Sequence, residues 1–138
     1  MLKTAALLLA RLIFAWGFLM AAAFKFMGME GTAAYIAAAG IPFSLFFAWI
    51  AACFEIGLGL AFLTGAFFSE AAILAGIYVM FLAFTFHGPA RWEGNQMEFG
   101  FFFDHFIFLA GLLFAAVHGP GEKLALGWRL PWSARRAA

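Results

Sequence analysis

The chain has 138 residues, of which 67% are hydrophobic, 20% aromatic and 11% charged, with a formal net charge of +1. A soluble fold with this composition and 21 phenylalanines is excluded, because soluble domains are nearer half apolar and a quarter charged. The near-neutral balance excludes a nucleic-acid partner, which calls for a strongly basic face, and the single cysteine, Cys53, excludes intrachain disulfides and any Cys-x-x-Cys couple.

Four long apolar runs follow one another: 4–26, 42–64, 69–86 and 99–118. Each is near the ~20 residues that cross ~30 Å of hydrocarbon as a helix. Gly28, Glu30 and Gly31 close the first run, and its length and internal Arg11 favour a retained helix over a cleaved signal peptide. The alanine-rich stretch 32–39 reads as a short interfacial helix. Gly40-Ile41-Pro42 opens the second run, with Pro42 suited to a first helical position. Gly57, Ala61 and Gly65 stand four apart on it, a spacing for close helix contact. The third run ends at His87-Gly88-Pro89, and the fourth at Gly119-Pro120-Gly121. The polar loop 90–97 lies between them. The expected fold is therefore all-α: a single-domain, integral membrane four-helix bundle with a short interfacial helix between spans one and two, in contact with the lipid bilayer.

Lysine and arginine in the flanks set the expected orientation. Lys3, Lys123, Arg129, Arg135 and Arg136 fall on the side of the termini, against Lys25 and Arg91 on the other. This predicts a multi-pass protein of a bacterial-type inner membrane with both termini cytoplasmic. Trp128 and Trp132 beside Arg129 read as an interfacial anchor on that side.

Ionisable residues inside the runs are the candidate functional residues, since charge at membrane depth needs a partner or water. Counting ~1.5 Å per residue from the span ends puts Arg11 and Glu55 at similar depth. An Arg11–Glu55 ion pair is expected, with Arg11 snorkelling alone to the headgroups as the alternative. Lys25, His87, Asp104 and His105 fall toward the opposite side, either as a small polar cavity or as a network that locks helix packing. His87 and His105 are the sole candidate pair for haem or metal. Their depths are expected to differ by a turn or two, so no haem or metal is expected.

Arg11, Gly17 and Lys25 on span one, Gly40-Ile41-Pro42, then Glu55-Ile56-Gly57-Leu58-Gly59-Leu60 with Leu63-Thr64-Gly65, Phe86-His87 and Gly119-Pro120-Gly121 together resemble the DoxX family of small four-helix membrane proteins. The resemblance runs along nearly the whole chain. It departs at Asp104-His105, where the family often has Lys-Asn, and at Glu122-Lys123-Leu124, where the family often has Ser-Leu-Asp. The resemblance implies links to quinone-dependent thiosulfate oxidation and to membrane-associated oxidative-stress complexes.

Three functions follow as expectations. The first is a non-catalytic accessory or membrane-anchor subunit of a redox system, partnered by oxidoreductase subunits and holding no cofactor of its own, with quinone nearby. The second is an oxidoreductase subunit binding quinone or a sulfur species at Asp104 and His105, where a carboxylate beside an imidazole moves protons. The third is a small permease or ion-conducting homo-oligomer.

Overall fold

The structure is a computed structural model that describes residues 2–131. It is all-α, and among the described residues there is no strand. Among the described residues five α-helices follow in order: α1 (Leu2–Met27), α2 (Met29–Ala38), α3 (Ser44–Thr64), α4 (Phe68–His87) and α5 (Gln96–His118). A 3₁₀ turn, Pro89–Arg91, lies between α4 and α5. Four of the helices are long and apolar enough to cross a membrane.

The helix ends follow local chemistry. Gly28 interrupts the backbone between α1 and α2. Pro42 does not start α3 as expected. The helix opens two residues later at Ser44, because Phe43 takes a left-handed conformation with φ 52°. Gly65 closes α3 at φ 75°, and its N–H donates to Ala61 O at 2.9 Å. A side chain there would be strained and would stand 2.6 Å from Ala125 Cβ. At the start of α5 the Asn95 side chain accepts from the Glu98 N–H at 3.4 Å. That cap lets the helix begin at Gln96, three residues before the apolar run.

The chain divides into two compact units. The first holds α1, α2, α3 and the segment Pro120–Trp128. In it α1 and α3 pack antiparallel: Phe14 and Phe18 both stack on Phe62, at 5.2 and 5.7 Å between ring centres. Close approach comes at Gly59 rather than Gly57, since a Cβ at Gly59 would lie 2.6 Å from Leu19 Cγ. The second unit holds α4, the 3₁₀ turn, α5 and residues 129–131. There α4 and α5 pack antiparallel, with Phe84 against Phe102 at 5.2 Å and Gly76 close to Leu109. Within this unit the Leu130 N–H donates to Glu70 Oε1 at 2.9 Å.

Burial is inverted relative to a soluble protein. Large apolar side chains such as Trp16, Ile77, Phe84 and Phe114 are exposed, while among the described residues the buried charged ones are Arg11 and Glu55. That is the pattern of a chain whose solvent is hydrocarbon. Trp128 is exposed, with its ring edge-on to Phe67 at 6.3 Å. Trp132, Arg135 and Arg136 lie outside the described residues.

Candidate functional site

The last four carbonyls of any helix lack partners within it. In hydrocarbon no water replaces them. Around the end of α3 each one is satisfied. Ala61 O accepts from Gly65 and Thr64 O from the Leu126 N–H at 3.0 Å. The two between them accept from Arg11, whose Nε donates to Phe62 O at 3.2 Å and whose Nη2 donates to Leu63 O at 2.7 Å. The remaining nitrogen, Nη1, donates to Leu124 O at 2.8 Å. One guanidinium thus joins α1, the end of α3 and the Pro120–Trp128 segment. Its planar fork of donors suits this task, and its positive charge sits where the α3 dipole is negative.

Arg11 therefore does not pair with Glu55, and it does not snorkel alone. Equal depth for the two residues requires that the two helices end level. Instead α1 overruns α3. Arg11 faces Leu63, and the nine residues Leu2–Ala10 continue beyond, roughly 13 Å of helix. They run alongside the C-terminal segment, where Leu7 lies against Gly121. Glu55 sits eight residues before Leu63, roughly 12 Å along α3.

At that level the cation is Lys25. Its Nζ donates to Glu55 Oε1 at 2.8 Å, with the lysine side chain 22% exposed and the glutamate 2%. Lys25, expected among the outer polar residues, is thus engaged within the first unit. The signal for this register was in the sequence. Arg11, Phe18 and Lys25 are seven apart, as are Glu55 and Phe62, so each set forms one stripe.

The second unit brings together two of the expected residues and one more. His87 Nδ1 lies 2.7 Å from Glu98 Oε2. The His87 and His105 rings are 5.3 Å apart, and Phe101 flanks His87 at 5.3 Å. His105 Nδ1 lies 2.6 Å from Phe101 O. The Trp92 indole N–H donates to His87 O at 2.8 Å, which fixes the end of α4. Asp104 does not join this cluster. Neighbouring residues on a helix point about 100° apart, and Asp104 is exposed on α5 without a hydrogen bond or ion pair among the described residues.

The DoxX family model matches residues 6–88, well over half of the chain. The chain belongs to the DoxX family. The matched stretch carries Arg11, Lys25, Glu55 and His87, whereas α5 with Asp104 and His105, and the closing Gly119-Pro120-Gly121, lie beyond it. No curated protein and no solved structure matches this DoxX-family chain.

Proposed function

We propose that this DoxX-family membrane protein is a non-catalytic accessory subunit that anchors a partner of a quinone-linked or oxidative-stress redox system in a bacterial-type inner membrane. The redox side of the reading rests on the resemblance. The subunit side rests on Asp104. This carboxylate lies eight residues into α5, about 12 Å from the helix start, among the exposed side chains of Phe101, Phe103, Phe106 and Ile107. An unpaired aspartate facing lipid costs roughly 2.5–3.5 kcal/mol on insertion scales. A donor from another polypeptide removes that cost. Arg11 and Glu55 each help hold α1 against α3, which fits a supporting role.

Purification in mild detergent with mass spectrometry tests this. Oxidoreductase subunits should co-purify, and Asp104→Asn should remove them while leaving abundance and thermal stability unchanged, because the residue is exposed. A lone homo-oligomer, or a partner retained by the variant, overturns the reading. A second reading, a subunit binding quinone or a sulfur species, is favoured by the neighbouring His87 and His105 rings. It requires bound quinone or sulfur species in the extracted protein.

Both termini are placed in the cytoplasm by the five basic residues on their side against two on the other. A reporter fused after Ala138 should be active in the cytoplasm, and one inserted in the loop 90–97 should be active only on the far side. The opposite result reverses the orientation.

A further inference from the structure

The sequence set His87 and His105 apart by depth. The structure places their rings 5.3 Å apart, tilted by 39°. Side chains on a helix lean toward its N-terminus. His105 therefore leans toward the start of α5, which antiparallel packing sets beside the end of α4.

Both rings use Nδ1 in the same way. A carbonyl accepts and cannot donate, so His105 Nδ1 carries the proton it shares with Phe101 O at 2.6 Å. The Glu98 carboxylate accepts from His87 Nδ1 at 2.7 Å. With the proton on Nδ1, the neutral form of each ring has its lone pair on Nε2. A ring nitrogen bonded to a carboxylate or a backbone carbonyl, with the other nitrogen left as a donor atom, is the arrangement that orients metal-ligating histidines. Two imidazoles about 2.0–2.1 Å from one tetrahedral ion have ring centres roughly 5 Å apart, which the observed spacing matches.

We propose that His87 and His105 bind a divalent transition-metal ion through their Nε2 atoms, with Glu98 orienting His87. Imidazole suits zinc and copper, whereas magnesium and calcium prefer oxygen. Among the described residues no group of three or more His, Cys, Asp or Glu side chains is placed to hold a metal. Water completes the coordination, so the site is open. His87 is 19% exposed and is the last residue of α4.

The test uses the full chain without a histidine tag, in detergent. Copper(II) is added and followed by electron paramagnetic resonance, and zinc by calorimetry. One ion per chain and a nitrogen hyperfine pattern from two imidazoles are expected. His105→Ala should weaken binding at least tenfold and reduce the pattern to one nitrogen. Glu98→Gln should weaken it 10–100-fold with both nitrogens retained, the range seen when a ligand's orienting partner is changed. His118→Ala is the control. Its Nδ1 lies 3.0 Å from Phe114 O in the same way, but it lies outside the pair, so binding should not change. Circular dichroism confirms that each variant is folded. Absence of binding to the wild-type chain, or equal loss in the His118 and His105 variants, overturns the assignment.

Discussion

Arg11→Leu is expected to destabilise the folded protein by roughly 3–5 kcal/mol, since it leaves one buried and two part-buried carbonyls without donors, at about 1–3 kcal/mol each with the part-buried two at the low end. Those carbonyls belong to Phe62, Leu63 and Leu124. The loss should appear in thermal or detergent unfolding followed by helical circular dichroism. It should also loosen the Pro120–Trp128 segment, so trypsin should cut more readily after Lys123. Arg11→Lys should recover only part of the stability, because an ammonium cannot span three carbonyls in the fork geometry that the guanidinium fills. Adding Glu55→Leu to Arg11→Leu should give no recovery. The two residues act at points roughly 12 Å apart along α3, and well-separated effects add. Recovery in that double variant would mean that Arg11 and Glu55 are paired after all.

Helix number and type were readable because apolar runs of twenty residues have few other structural outcomes. Boundaries shifted where one side chain or one backbone angle decided them. Asn95 extends α5 by its cap, and Phe43 delays α3 by its positive φ. The charged residues of the interior stand out in the sequence, but their partners do not, because pairing depends on register. A depth count treats helices as flush cylinders, and α1 is 26 residues long against 21 for α3. The excess places Arg11 against the C-terminal turn of α3 and leaves Glu55 to Lys25. The capping of α3 by Leu126 was not legible at all. It joins residues 62 positions apart, through a segment whose composition carries no periodic signal. The meeting of His87 with His105 was hidden for a related reason: the tilt of side chains along α5 covers a distance that counting residues from the ends does not include.

The Lys25–Glu55 pair carries the second large effect. Glu55 is 2% exposed at mid-helix, and Lys25 reaches it from the last turn of α1. Lys25→Met removes the ammonium and leaves the carboxylate buried, which by comparison with other broken buried pairs costs about 3–5 kcal/mol. Glu55→Gln should cost less than Lys25→Met, because Lys25 is partly exposed and can turn its charge to water. The double change Lys25→Met with Glu55→Met removes both desolvation costs, so it should be more stable than Lys25→Met alone. A double-mutant cycle on unfolding free energies measures the coupling directly. Coupling of a kilocalorie or more is expected, with the sign of mutual stabilisation. Strictly additive single variants would show that the 2.8 Å contact contributes nothing to stability, and α1 would then be held to α3 by Arg11 and the Phe14–Phe18–Phe62 stack instead.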